Sequence, residues 1–418
     1  MTRRLEEFFV DKSRQRRILA LDGGGVRGLL TLGMLGELEK ELRARSGDPD
    51  YRLSQYFDLI GGTSTGSIIA TGLAHGWTVE GVTQAYLKII PKVFGRKRAF
   101  GLLEPAYDEW PLADALKKFF GDDVLESVDL ETGLAVFAKR ADTGSAWVLC
   151  NNPRWKYYDR KEPGAGHESN SGFKLRSIVQ ASAAAPHYFR RVQIHIQHAE
   201  EKVKPGEFID GGVAGFNNPA LELLSLVRDP AFGFEWTLGE QQVYLLSLGT
   251  GWLRERNVGG RLFVSRTISA LRSMINDVSL QQIAYLQALS RVQMRWYINS
   301  EKQYQENKSY LAPEGAPLLT YQRVDVRLEP EKDRAKELLP DTAAALRGGK
   351  PLSKSELRRA SQITNANPKN SKLLIQLGQK AGERFIEQAP PPLAFNPDPW
   401  TRQGAIGPGS KREAPRAN

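Results

Sequence analysis

Arg17-Ile18-Leu19-Ala20-Leu21-Asp22-Gly23-Gly24-Gly25-Val26-Arg27-Gly28 begins as a short apolar run and stops on an aspartate and three glycines. The pattern reads as a buried strand delivered into a tight turn. Over residues 29–42 apolar side chains return at helical spacing (Leu30, Met34, Leu35, Leu38, Leu42), with Glu and Lys between them. The same grammar then repeats. Phe57-Asp58-Leu59-Ile60 runs into Gly61-Gly62-Thr63-Ser64-Thr65-Gly66, and residues 67–75 read as a second helix. Two successive strand, glycine-turn, helix units predict an α/β fold, a parallel sheet flanked by helices.

Further along, residues 134–139 and 146–149 predict paired strands around the turn Asp142-Thr143-Gly144. Residues 177–185 read as a small-residue helix ended by Pro186, and 207–209 as a strand entering Asp210-Gly211-Gly212. Asn218-Pro219 marks a helix start, and 243–248 is another apolar strand. After about residue 255 the glycine-punctuated pattern stops. Residues 262–298 and 371–388 carry helical spacing, and 321–328 alternate like a strand. The expected organisation is a charged lead-in (1–16), a catalytic domain (17–255), a mainly helical extension (256–390) and a Pro/Gly-rich disordered tail (391–418).

Composition narrows the class. With 418 residues, 41% hydrophobic and 25% charged, the chain is that of a soluble globular protein and too apolar for wholesale disorder. Lys plus Arg less Asp plus Glu is 58 − 48 = +10, which favours an acidic partner, a phospholipid surface or a nucleic acid. A single cysteine, Cys150, excludes an intramolecular disulfide and a Cys-based zinc site. The N-terminal stretch is charged throughout and lacks an apolar signal core. The longest uncharged run, 59–79, contains GGTSTG and reads as core rather than a membrane span. A cytoplasmic protein without a transmembrane helix is expected.

Three glycine-flanked strand ends carry chemistry. Gly62-Thr63-Ser64-Thr65-Gly66 matches G-x-S-x-G, in which a sharp strand-to-helix turn holds a serine hydroxyl out toward substrate. A structural turn whose serine caps the helix is the competing reading. Asp22 to Gly28 also satisfies G-x-G-x-x-G, a dinucleotide fingerprint, but the acidic residue expected about 20 positions on is replaced by helix. A nest of backbone N–H groups that binds negative charge fits better. Asp210-Gly211-Gly212 taken alone is a common turn. A serine nucleophile needs a base, however, and none of His75, His167, His187, His195 and His198 stands in a triad context. His187, next to Pro186, is the one histidine to follow.

In combination these motifs, DGGGVRG at 22–28, GTSTG at 62–66 and DGG at 210–212, resemble the patatin-like phospholipase family. Ala181-Ser182-Ala183-Ala184-Ala185-Pro186-His187-Tyr188-Phe189 resembles its small-residue segment, with His187 where Thr is commoner, and 139–153 resembles a bacterial branch. The resemblance covers about 17–255. It implies a three-layer fold with a mostly parallel central sheet, and a serine lipid acyl hydrolase working through a Ser–Asp dyad and an acyl-enzyme. Ser64 is then the nucleophile and Asp210 its base. Gly23, Gly24, Gly25, Arg27 and Thr65 form the oxyanion hole, and Gly62 and Gly66 are the elbow glycines. No metal and no organic cofactor is implied. The substrate is a membrane phospholipid or a related acyl ester, placing the protein peripherally at the inner membrane face. The loop Pro91-Lys92-Val93-Phe94-Gly95-Arg96-Lys97-Arg98-Ala99-Phe100, which interleaves cations and aromatics, suits anionic headgroups or, equally, a solvated loop. No nucleic-acid module accompanies it. Two alternatives stand beside this reading: a phospholipase effector of antiviral defence activated by a cyclic nucleotide, and a dinucleotide-binding protein using the 23–28 loop. A binding or storage protein on a hydrolase fold is disfavoured because every motif position is filled.

Overall fold

The computed structural model describes residues 9–11, 14–95, 105–158, 169–194, 205–254, 263–298, 311–332 and 336–397. Its frame is a nine-stranded sheet. The strands are β1 (Arg16–Leu21), β2 (Leu59–Thr63), β3 (Gly133–Arg140), β4 (Ala146–Cys150), β5 (Val192–Ile194), β6 (Gly206–Asp210), β7 (Val243–Leu248), β8 (Arg291–Val292) and β9 (Thr320–Val324). Pairing runs β5-β6-β3-β2-β1-β7-β9-β8, with β4 also on β3. The pairs from β3 through β2, β1, β7 and β9 to β8 are parallel; those of β4, β5 and β6 are antiparallel. The longer helices are α1 (Gly28–Ser46), α2 (Thr65–Ala74), α3 (Val79–Phe94), α4 (Trp110–Phe120), α5 (Leu175–Ser182), α6 (Ala220–Leu226), α7 (Phe263–Leu289), α8 (Lys354–Ser361) and α9 (Pro368–Gln388).

Alternation along β2 shows that helices cover both faces of the sheet. A Cβ on Gly61 would press into Leu223 of α6, whereas one on Gly62 would press into Gly66 and Ser67 of α2. Residues of β1 and β7 are buried along their whole length, as a parallel strand between two helical layers requires. On the α2 side, α1 crosses α9 at a small-residue contact, where Gly33 abuts the backbone of Ile375 to Gln379. This crossing ties the last long helix to the first.

The structure corrects several expectations. The second strand extends through Gly61, Gly62 and Thr63, because the glycines let α2 and α6 approach both of its faces closely. Helix α5 stops at Ser182, three residues short, as Pro186 disfavours helical geometry before it. The helix expected over 262–298 ends at Leu289, where the chain turns into β8. Past 255 the strand expected over 321–328 is present as the shorter β9, and with β8 it completes the central sheet beside β7. Residues 391–397 are packed rather than loose. Phe395 is buried against Tyr244, and the Arg17 guanidinium donates to the carbonyls of Phe395 and Asn396 (3.3 and 2.8 Å). The rest of the tail, the loop beyond Gly95 to residue 104 and most of the lead-in lie outside the described residues, although Phe9 belongs to the core.

Candidate active site

The pairing of β3 brings the site together. Phe137 pairs with Thr63 of β2 on one edge and Val148 of β4 on the other. Ala138, one residue on, pairs with Asp210 of β6 and Trp147 of β4. Strands β2 and β6 thus occupy the same edge of β3, end to end and in opposite directions. The chain that leaves β2 at Ser64 faces the chain that leaves β6 at Asp210.

Ser64 adopts φ 54 and ψ −123, a conformation that costs a non-glycine residue about 1–3 kcal/mol. Surrounding contacts hold it there. Its N–H donates to Ser182 Oγ (2.9 Å), which donates to the Phe137 carbonyl (2.6 Å). Its carbonyl accepts from the Ser67 hydroxyl (2.6 Å) and the Ser67 N–H (3.0 Å). Gly66 lies so close to the carbonyls of Leu21 and Asp22 that any side chain there would displace β1.

Asp210 is buried, 6% exposed. Its Oδ1 accepts the Gly212 N–H (2.7 Å), and the Ser64 side chain stands close enough to favour the charged carboxylate. Burial pushes its pKa from 3.8 up to about 6, only partly offset by the Gly212 N–H and by Ser64 nearby. It remains ionised at neutral pH, yet takes a proton more readily than an ordinary aspartate. His187 lines the same cleft with a φ of 72 but is exposed, and no hydrogen bond joins it to Ser64 among the described residues. His75 is buried elsewhere, bonded to the Thr71 carbonyl (2.7 Å).

The loop at 22–28 separates by its hydrogen bonds into holding groups and groups left over. The Gly23 N–H donates to the Asn217 carbonyl (3.0 Å), so Gly23 is removed from the set of anion donors. The Gly23 carbonyl accepts Thr250 Oγ1 (2.9 Å), and the Gly25 carbonyl accepts the hydroxyls of Tyr86 (2.7 Å) and Thr65 (3.1 Å). The Arg27 N–H returns to the Gly24 carbonyl (3.2 Å), and the Val26 N–H donates to the Ile363 carbonyl (2.8 Å). The amides of Gly24 and Gly25 keep no backbone partner among the described residues, and Thr65 is the first residue of α2, whose N–H has no intrahelical acceptor. Gly25 has φ 57, which suits glycine, and any side chain there would run into the Ile363 carbonyl. Arg27 is half-buried on the cleft wall.

Ser64, Asp210, Gly24 and Gly25 all line one cleft of about 230 Å³. Away from them its wall is apolar, built chiefly by Ile68, Ile89, Val93, Phe94, Leu112 and Phe189. The far rim comes from beyond the motif-bearing region: Leu271, Arg272 and Ile275 on α7, and Ile363 after α8. Sequence reasoning missed Ser182, Asn217, Thr250 and Ile363. Ser182 alone had a visible signal, the small-residue segment in which it sits. Among the described residues no group of His, Cys, Asp and Glu could hold a metal ion, and no helix is long and apolar enough to cross a membrane.

A mostly parallel sheet with three glycine-flanked strand ends gathered under one cleft defines the patatin-like class of α/β proteins. Residues 19–224 match the family model described as Patatin-like phospholipase, and over them the chain is a domain of that family. A cGAMP-activated phospholipase of Escherichia coli (strain TW11681) is 29% identical over 246 residues, 58% of this chain and 63% of that one. A cUMP-AMP-activated phospholipase of Escherichia coli is 36% identical over 205 residues, 49% of this chain and 57% of that one. Patatin group M-3 of Solanum tuberosum is 28% identical over 246 residues, 56% and 60% of the two chains. The chain spans about three fifths of the length of these curated relatives.

Proposed function

We propose that the protein is a serine acyl hydrolase that releases fatty acids from membrane phospholipids or related acyl esters. The observation that carries this reading is the convergence of Ser64, held at a strained strand-to-helix turn, and the buried Asp210 carboxylate across the β2–β6 joint, both lining one largely apolar cleft. Ser64 Oγ attacks the ester carbonyl carbon as its proton passes to Asp210. The negative charge that develops on the carbonyl oxygen is held by the amides of Gly24, Gly25 and Thr65. Collapse of the tetrahedral intermediate breaks the bond to the alcohol, which takes the proton back from Asp210 and leaves an acyl ester on Ser64. Asp210 then accepts a proton from water as the water attacks that ester. Fatty acid departs, and the proton returns to Ser64. Gly62 and Gly66 keep the turn open for this approach, and Arg27 adds positive potential at the cleft.

The apolar wall supports an acyl-chain substrate, and the net charge of +10 supports work at an anionic lipid surface, which we place at the inner face of a cytoplasmic membrane. The names of two relatives favour an additional layer, activation by a cyclic dinucleotide. A fluorophosphonate probe tests the central assignment. Intact-mass and peptide mapping are expected to place one adduct on Ser64 and none on Ser64→Ala. An adduct retained by the mutant would remove Ser64 from the reaction.

A further inference from the structure

The loop that offers the Gly24 and Gly25 amides is anchored at its entrance by an ion cluster belonging to the far part of the chain. Strands β1, β7 and β9 run parallel with Ala20, Ser247 and Arg323 in one row. From β9 the Arg323 guanidinium passes Ser247 Oγ (2.7 Å) and grips both oxygens of Asp22 (2.9 and 2.6 Å), the residue from which the loop departs. Asp325 accepts from the same guanidinium (2.8 Å) and is itself fixed by the amides of Gly251 and Val326 (each 2.8 Å). All three ions are nearly inaccessible, at 4, 5 and 5% exposure for Arg323, Asp22 and Asp325. A bidentate, buried guanidinium–carboxylate pair fixes direction as well as distance. Arg323 lies outside residues 19–224, beyond the segment that carries the family motifs.

We infer that Arg323 is a positioning residue of the reaction: through Asp22 it sets the angle at which the Gly24 and Gly25 amides meet the oxyanion. The inference rests on the acyl-hydrolase reading. With the hydrogen bonds of Gly23, Gly25 and Val26 it leaves those two amides as the groups of the loop aimed at substrate. An amide displaced by a fraction of an ångström still permits substrate to bind but no longer matches the oxygen as it becomes tetrahedral. The deficit therefore belongs in kcat.

The test compares wild type, Ser64→Ala, Arg323→Lys, Arg323→Met and Asp22→Asn on p-nitrophenyl butyrate, with fluorophosphonate inactivation rates and thermal unfolding beside them. With a panel of cyclic dinucleotides present in every assay, turnover by wild type and none by Ser64→Ala isolates the hydrolase reading, and a wild type inactive in every arm overturns that reading and this inference with it. Removing one oxyanion donor costs about 10²–10³ in kcat, so a misaimed pair is expected to lose about 10- to 100-fold. Arg323→Lys keeps the charge without the two-pronged grip, and Asp22→Asn removes one of the two carboxylates facing one guanidinium. Both are expected to lower kcat and the fluorophosphonate rate together, with KM within about twofold. Arg323→Met strands two buried carboxylates and is expected to unfold more easily. A folded Asp22→Asn with wild-type kcat would overturn the inference. So would a KM effect without a kcat effect, or activity that simply follows the unfolding temperature across the series.

Discussion

Replacing Asp210 with asparagine should abolish turnover and, at neutral pH, make the protein more stable. The carboxyl titrates at about 6 in the fold against 3.8 in the unfolded chain, and burial is the main cause. Between these values the folded state holds a proton that the unfolded state has lost, so stability falls as pH rises from 3.8 to 6 and stays depressed above 6. The difference sets a ceiling of about 3 kcal/mol on what the ionised group costs the fold. The substituted carboxamide would retain the bond from the Gly212 N–H through its Oδ1 and present Nδ2 to Ser64 Oγ, so the geometry survives while the charge goes. Domains of 150–250 residues shift by about 2–4 °C per kcal/mol, and a rise of a few degrees in Tm at pH 8 is the expectation. Near pH 3.8 and below, the advantage should vanish, because the wild-type carboxyl is then neutral in both states. In the wild type, kcat/KM should fall about tenfold per pH unit below 6 and level off above it. Scanning calorimetry at pH 8 and pH 4 with a pH–rate profile reads both effects. A mutant Tm at or below that of wild type at pH 8 would refute the account of Asp210 as a buried base whose charge costs the fold stability.

Two further outcomes follow from the geometry. Ser182→Ala leaves the Ser64 N–H and the Phe137 carbonyl without their shared partner, which should cost about 1–3 kcal/mol in denaturant unfolding and lower kcat by loosening the turn at Ser64. Ile89→Trp fills the apolar wall of the cleft and should shift preference in a p-nitrophenyl ester series toward shorter acyl chains, with activity on acetate retained; an unchanged chain-length profile would mean that the acyl chain lies elsewhere.

Much of the site was legible because its chemistry sits at strand ends, where glycine, serine and aspartate leave a local signature. Asp22, Ser64 and Asp210 each close a run of apolar residues, and the fold gathers those three ends at one cleft region. What holds them was not legible. Ile363 and Asn217 act through backbone carbonyls, which any residue would supply. Arg323, Asp325 and Arg327 alternate with Val324, Val326 and Leu328, a pattern that reads as a solvent-facing row. All three are buried, because Asp22 and Asp325 pair with Arg323, and Asp341 and Glu331 with Arg327. The three adjacent glycines of the loop look equivalent in sequence. Only the hydrogen bonds separate Gly23, whose amide is engaged, from Gly24 and Gly25.

The most direct test of the central claim is fatty-acid release from vesicles of phosphatidylethanolamine and phosphatidylglycerol by wild type and Ser64→Ala, each with and without a panel of cyclic dinucleotides. The account predicts release by wild type, in the presence or the absence of a nucleotide, and none by the mutant in any arm. Equal release by Ser64→Ala would contradict it.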